Sequence, residues 1–330
     1  MKSRTALIFG ISGQDGSYMA ELLCAKGYRV IGSSRDPDRA RRCLASRRRE
    51  AIELVEIDLL DAEAIAALIG RAKPDEIYNF AAFSTGSGMY DQPVAIGDVN
   101  GLAVARMLDA IQGSGVRSRF CQASSSEMFG ATRASPQNEA TPFSPRSPYG
   151  AAKLFAHNMV GISRLQHGAF ACSAILFNHE SPRRSADFVT RKITRAAAAI
   201  RSGMAEDLVL GDLDARRDWG HARDVVRAMW LMLQSEQPSD YVIATGQTHS
   251  VADLCKIAFD HVGLDWRRYV SSDPTLRRSP DSTELVGDSA LAREQLGWAP
   301  SVTFEEMIKE MVDVDLQTMQ SASANRGYTA

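Results

Sequence analysis

Through the first half of the chain, short apolar runs alternate with stretches of helical apolar spacing, and few architectures accommodate that rhythm. Thr5–Phe9, Arg29–Gly32, Glu53–Ile57, Glu76–Phe80, Arg119–Ala123 and Ala171–Leu176 read as buried strands bounded by turn residues. Between them Ser17–Lys26, Ala62–Arg71, Gly101–Gln112 and Tyr149–His167 carry amphipathic spacing. Repeated strand–helix alternation predicts an α/β fold built on a parallel sheet wound on both faces. Beyond about residue 178 the rhythm loosens into loops rich in Arg and Pro, with helices expected near Arg191–Ser202, Ala222–Gln234 and Phe304–Leu316. The expected division is a first unit over residues 1–177 and a smaller, mixed α/β unit over most of 178–330, with segments near 212–250 returning to the first.

Composition narrows the function. The 330 residues are 45% hydrophobic, enough to bury a core without metals or disulfides. A net charge of −2 argues against nucleic acid or an anionic membrane as the main partner. The five cysteines, Cys24, Cys43, Cys121, Cys172 and Cys255, form no Cys-x-x-Cys pair, so neither a disulfide framework nor a metal site is expected and a reducing cytoplasm fits. Glycines break the apolar run Ala6–Phe9 before it could act as a signal sequence, and no later run reaches membrane-spanning length.

Where the first strand hands over to the first helix stands Gly10-Ile11-Ser12-Gly13-Gln14-Asp15-Gly16. Glycines at this spacing permit a tight turn and let the backbone approach a pyrophosphate, whose charge the free N–H groups of the helix start can hold. The motif alone is weak; its place inside a strand–helix–strand unit makes it a dinucleotide site. At the end of the second strand an NAD site wants a carboxylate for the ribose hydroxyl, whereas an NADP site wants a cation for the 2′-phosphate. Arg35 occupies that corner, with Arg39, Arg41 and Arg42 behind it, so NADP is favoured, although Asp36 leaves an ambivalent site open. The rest of the Arg39–Arg49 stretch reads as a solvated helix face. Asp58 and Leu59, ending the third strand, are placed to border the adenine; Phe80, Ala81 and Ala82, ending the fourth, include small residues where a backbone must pass close to the cofactor.

Tyr149 and Lys153 lie four apart in a helical segment and so project from one face. An ammonium beside a phenol stabilises the phenolate and is expected to lower its pKa toward a range useful for a base. Such a pair is common by chance. Ser124-Ser125-Ser126-Glu127 ends the fifth strand just upstream, where ligands sit in doubly wound sheets, and so adds a hydroxyl and a carboxylate to the same place. The competing explanation is a serine-rich turn with a capping glutamate.

These residues carry a resemblance. The chain is similar to extended short-chain dehydrogenases/reductases, and it resembles the GDP-mannose 4,6-dehydratase family over nearly its whole length. The strings that carry the likeness are Gly10 to Ser17, Gln122 to Gly130, Ser144 to Lys153, Leu176 to Arg184, Phe188 to Ile193, Leu213 to His221 and Asp240 to Gly246. Asn178-His-Glu-Ser-Pro-Arg-Arg184 and Arg217-Asp-Trp-Gly-His221 are long and specific. The resemblance implies a Rossmann-like fold, NADP as cofactor and a GDP-sugar as substrate. It further implies that Ser125, Glu127, Tyr149 and Lys153 form the catalytic group, with Ser125 standing where the family usually has threonine. His179, Arg184 and Ser84 would contact the cofactor; Ser84, Asn178, Lys192, Arg216 and Arg278 would hold the GDP-sugar, with Asp281 at the guanine edge. In the implied reaction Tyr149 takes the 4-hydroxyl proton as hydride leaves C4, and the new ketone acidifies C5. Glu127 then removes the C5 proton and, with Ser125, protonates the departing 6-hydroxyl, and hydride returns to C6. A 4-reductase or 4-epimerase needs only the Tyr/Lys pair, so Glu127 speaks for loss of water.

Two departures from the family pattern carry expectations. After Ala82 the chain reads Phe83-Ser84-Thr85-Gly86-Ser87-Gly88-Met89-Tyr90, whose small residues would open space beyond C6 and suit GDP-D-glycero-D-manno-heptose, as in the heptose-specific branch. The adenosine-side stretch Arg35-Asp-Pro-Asp-Arg39 differs from the family segment that supports tetramers, so a homodimer is expected, with a homotetramer as the alternative. The remaining rivals are a GDP-sugar 4-reductase or epimerase and a non-catalytic NADP-sensing protein on the same fold.

Overall fold

The computed structural model describes residues 3–44, 52–83, 90–276 and 284–326. Its first part runs β1 (Thr5–Phe9), α1 (Gln14–Ala25), β2 (Arg29–Ser34), α2 (Pro37–Cys43), β3 (Ile52–Glu56), α3 (Ala62–Ala72) and β4 (Glu76–Asn79). It continues through α4 (Pro93–Gly97), α5 (Ala103–Ser114), β5 (Arg119–Ser125), α6 (Pro148–His167) and β6 (Ala171–Leu176). These strands, with one from later in the chain, form a seven-stranded parallel sheet in the order β3, β2, β1, β4, β5, β6, β10, where β10 is Tyr241–Ile243. Successive strand side chains point to opposite faces, so Ala6 and Ile8 join the cluster under α1 while Leu7 and Phe9 join the one under α3 and α5. Leu7, Ile8 and Phe9 each contribute about 1.5–3 kcal/mol by leaving water. The α/β sheet wound on both faces is therefore the one the sequence rhythm implies.

The chain winds outward one way from β1 to β3 and the other way from β4 to β6, so the order reverses between β1 and β4. A crevice opens at such a reversal, outside the carboxyl ends of the strands. Gly10 and Ala81 follow those two strands, and they sit so close that a Cβ at Gly10 would lie 2.7 Å from the Ala81 nitrogen.

The remaining elements are β7 (Asn178–Glu180), α7 (Val189–Arg201), β8 (Leu208–Leu210), β9 (Arg216–His221), α8 (Ala222–Met232), β11 (Thr248–Ser250), α9 (Val251–His261), β12 (Val270–Ser272), α10 (Ala290–Leu296) and α11 (Phe304–Arg326). They make a three-stranded sheet, β11-β9-β7, and a two-stranded one, β12-β8. Helices α7, α9 and α11 close over a separate core that includes Ile193, Leu254, Phe259, Met307 and Met311. A buried bidentate pair, Arg191 to Asp315 with both contacts at 2.6 Å, ties α7 to α11. Helix α8 returns to the main sheet and packs against α1 with Val225 and Met229.

Several elements depart from the sequence reading. Helix α1 starts at Gln14 rather than Ser17, because its first turn is polar and carries no apolar period. The strands of the later sheets are mostly three residues long, too short for alternation to register. Helix α9 was not anticipated, although Ser250 and Asp253 form a capping box at its start.

Candidate active site

The glycine turn closes on itself. Gly13 donates to the Gly10 carbonyl at 3.1 Å, and a side chain at Gly16 would run into that same carbonyl, so only glycine lets α1 begin this near the end of β1. Gly13 caps α1 without any side-chain hydrogen bond, which leaves the first N–H groups of the helix uncommitted to a protein cap. That arrangement fits a pyrophosphate. Asp15 lies in the first turn of α1, but its carboxylate turns toward β7, where His179 Nε2 donates to it at 3.0 Å.

Three elements deliver the four chemistry-bearing side chains. Strand β5 ends at Ser125, and the following single 3₁₀ turn, Ser126–Met128, carries Glu127. Helix α6 starts at Pro148 under the cap of Ser147, whose hydroxyl accepts from the Gly150 nitrogen at 3.0 Å, so Tyr149 falls in its first turn and Lys153 one turn on. Gly150 lets that start approach the turn: a Cβ there would lie 2.6 Å from the Glu127 carbonyl. Lys153 is 3% exposed and donates its ammonium to the Ala123 carbonyl at 2.8 Å, with Nζ 5.7 Å from the Tyr149 ring centroid. Ser125 hydrogen-bonds to the Tyr149 phenol and accepts from the Glu127 nitrogen at 3.2 Å. Ser125, Glu127, Tyr149 and Lys153 therefore converge at one strand end.

The expected lowering of the phenol by Lys153 is not what this environment produces. Burial pushes Tyr149 up to about 12; the Ser125 hydrogen bond and Arg184 oppose that rise, while the Glu127 and Asp15 carboxylates reinforce it. Burial likewise pushes Lys153 down to about 8, against the pull of Asp15. The physical reason is that Lys153 spends its ammonium on a backbone carbonyl while desolvation acts on both groups at once.

The other sequence-derived candidates fall at several places. Arg35 is exposed at the end of β2, and Asp36 is occupied as the N-cap of α2, accepting from the Arg39 nitrogen at 2.8 Å. Asp58 is exposed and accepts from the Leu60 nitrogen at 3.0 Å, beside the buried Leu59. Phe80, Ala81 and Ala82 are half-buried beyond β4, and the Phe80 nitrogen donates to the Phe9 carbonyl. Asn178 begins β7, and Arg184 lies 3.3 Å from Glu180 with its guanidinium 3.5 Å over the Phe188 ring. Lys192 is exposed on α7, whereas Arg216 bonds to Thr248 and Glu284. Ser84, Arg278 and Asp281 lie outside the described residues, as does the Thr85–Gly88 stretch behind the heptose expectation.

Other polar residues shape the site without having been singled out. Asn100 bonds both the Phe83 nitrogen, at 2.6 Å, and its carbonyl, at 3.1 Å, fixing the end of the Ala81–Phe83 segment. Buried Asp218 gathers Thr245, Gly246 and Gly287 around one carboxylate. Ser181 donates to Gln14 at 2.7 Å, and Arg183 reaches Ser17 and Glu21. Asp218, Ser181 and Arg183 lie in the strings that carried the resemblance, which was the signal available for them. Among the described residues no group of three His, Cys, Asp or Glu is placed to hold a metal ion, and no helix is long and apolar enough to cross a membrane.

Comparison with known proteins follows the same lines. Residues 7–311 match the family model described as GDP-mannose 4,6 dehydratase. GDP-mannose 4,6 dehydratase 2 of Arabidopsis thaliana is 45% identical over 333 residues, spanning 95% of this chain and 87% of that protein. Among solved structures, RMD from Pseudomonas aeruginosa complexed with NADPH has a TM-score of 0.81 at 22% identity, over 96% of this chain and 100% of that one. UDP-glucose 4-epimerase of Thermus thermophilus, in complex with NAD, has a TM-score of 0.83 at 22% identity, over 94% of this chain and 98% of that one. At that identity the structural likenesses speak for the fold.

Proposed function

The chain belongs to the GDP-mannose 4,6-dehydratase family, and from that premise we propose that it is an NADP-dependent hydro-lyase acting on GDP-mannose or GDP-D-glycero-D-manno-heptose. The product is the 4-keto-6-deoxy sugar nucleotide. The observation that carries this reading is the placing of Glu127 on the turn that ends β5, where its nitrogen donates to Ser125 and its carbonyl lies against Gly150, between Tyr149 and Lys153 at the start of α6. A nicotinamide cofactor, when bound, supplies the acceptor for hydride from C4 and returns hydride at C6. Gly10 to Gly16 would hold its pyrophosphate, and Arg35 would meet the 2′-phosphate.

On the sugar, Tyr149 Oη takes the proton of the 4-hydroxyl. Near neutral pH a phenol held at about 12 begins as a donor, so it accepts that proton only when cationic neighbours lower it, and Lys153 and Arg184 are the cations at hand. Glu127 takes the C5 proton once C4 is a ketone. The departing 6-hydroxyl receives a proton from Glu127 with help from Ser125, and the pair leaves as water; C5 then regains a proton as hydride reaches C6, which balances the one that Tyr149 took from the 4-hydroxyl. Asn178, Lys192, Arg216, Arg278 and Asp281 hold the GDP portion. Product mass tests the assignment: incubation with NADP and GDP-mannose should give a sugar nucleotide lighter by one water, whereas an epimerase leaves the mass unchanged and a 4-reductase, which needs a reduced cofactor and a 4-keto sugar, releases no water.

Two finer points belong to the same proposal. The small residues Thr85, Gly86 and Gly88 support a heptose substrate, for which kcat/KM should exceed that for GDP-mannose. A homodimer is supported by apolar side chains left on the surface of α6 and the turn before α5, where Leu102, Phe155, Ile162 and Leu165 are 41–80% exposed.

A further inference from the structure

His179 sits on β7 with both ring nitrogens facing acceptors. Nε2 lies 3.0 Å from Asp15 Oδ2 and Nδ1 lies 2.8 Å from the Phe177 carbonyl. A carboxylate and a carbonyl both accept, so the two contacts are satisfied together when each nitrogen carries a proton, as in an imidazolium. Both ring nitrogens are thus engaged by the protein. Around this pair the same two segments are stitched further. Gln14 Nε2 donates to the His179 carbonyl and to Asp15 Oδ1, both at 3.1 Å, and Ser181 and Arg183 reach Gln14, Ser17 and Glu21 on α1.

We propose that Asp15 is a positioning residue: by holding His179 as an imidazolium it clamps β7 to the first turn of α1 and fixes the glycine loop relative to the strand that presents Asn178. Burial alone would favour the neutral form of both groups. Burial lowers His179 but the Asp15 charge raises it above its ordinary value, and burial raises Asp15 but the His179 charge brings it below the usual carboxylate range. The sign for stability follows for each. The contribution of His179 is fully present below its unfolded pKa and is lost as pH rises through the raised folded value. That of Asp15 is present above its unfolded pKa and is lost as pH falls through the lowered one. The clamp therefore holds between those limits and releases on either side. The other titratable and charged groups that face the pair are Arg184, which opposes the imidazolium, Tyr149 and Lys153 of α6, and His221 of β9, which burial holds down at about 4.

The clamp stands on geometry, while its effect on turnover rests on the dehydratase reading, so the test separates them. Histidine-labelled protein without cofactor is titrated by NMR, and amide exchange is followed over Asn178–Ser181. His179 should titrate above 6.5 in the native chain and below it in Asp15→Asn, with exchange in that segment faster by tenfold or more. The Kd for NADP should rise about tenfold in Asp15→Asn and equally in His179→Asn, and the double variant should be no worse than either single one. An unshifted His179 in Asp15→Asn, or additive losses in the double variant, would overturn the proposal. Should Asp15→Asn fail to fold, a native His179 that titrates below 6.5 overturns it alone. Absence of dehydration by the native enzyme would instead defeat the functional reading and leave the clamp standing.

Discussion

Lys153 couples catalysis and stability in opposite directions. In the proposed reaction its ammonium would draw the Tyr149 phenol down, yet burial holds its own pKa at about 8. Activity should therefore fall as pH rises past roughly that value, because the neutral amine no longer stabilises a phenolate. Stability runs the other way. Between the folded value of about 8 and the ordinary lysine value the unfolded chain binds the extra proton, so this group makes the fold more stable as pH rises through that window. Parallel pH profiles of kcat/KM and melting temperature, with Lys153→Met as reference, test this; coincident optima would contradict it. Glu127→Gln should lower kcat by about 10²–10⁴-fold while leaving NADP binding unchanged, the usual scale for a positioned acid–base group. Solvent-deuterium uptake at C5, followed by NMR, should disappear in the same variant.

At the scale of elements, the site depends on how near α6 starts to the turn after β5. Gly150→Ala puts a methyl 2.6 Å from the Glu127 carbonyl. It should cost about 1–3 kcal/mol of stability, read by denaturant unfolding, and lower kcat by more than tenfold with KM little changed, because helix and turn must separate. Ser147→Ala should cost only about 1 kcal/mol, the worth of one cap. These local relations explain what could be read from sequence. Tyr149 and Lys153 are one helical turn apart, Ser125 and Glu127 adjoin a strand end, and the glycine motif sits at a strand–helix junction, so short-range patterns expose all three. The clamp residues were beyond such patterns: Gln14 and Ser181, or Asp15 and His179, are separated by more than 160 positions, and nothing in local spacing joins them. The three-residue strands of the second part escaped for a related reason, since alternation over so few positions is indistinguishable from loop. The depressed phenol pKa failed because spacing reveals neighbours but not burial, and burial dominates at Tyr149.

Across the whole molecule, the order of the main sheet reverses between β1 and β4, while β7 and β9, which begin at Asn178 and Arg216, pair with each other in the second part. The proposed cofactor choice belongs to this scale, because it would be read at the end of β2, between β1 and the edge strand β3. Arg35→Ala should raise KM for NADP about tenfold, the loss of one charge-assisted contact, and leave KM for NAD little changed; equal effects on both would mean that Arg35 does not read the 2′-phosphate. The central claim is that one phenol, one ammonium and one carboxylate perform internal redox and loss of water on a single bound sugar. GDP-mannose deuterated at C4 tests it most directly, with mass and NMR analysis of the product. The account predicts a 4-keto-6-deoxy sugar lighter by one water, with the deuterium now at C6. A product that keeps its oxygen count, or that carries no deuterium at C6, would contradict it.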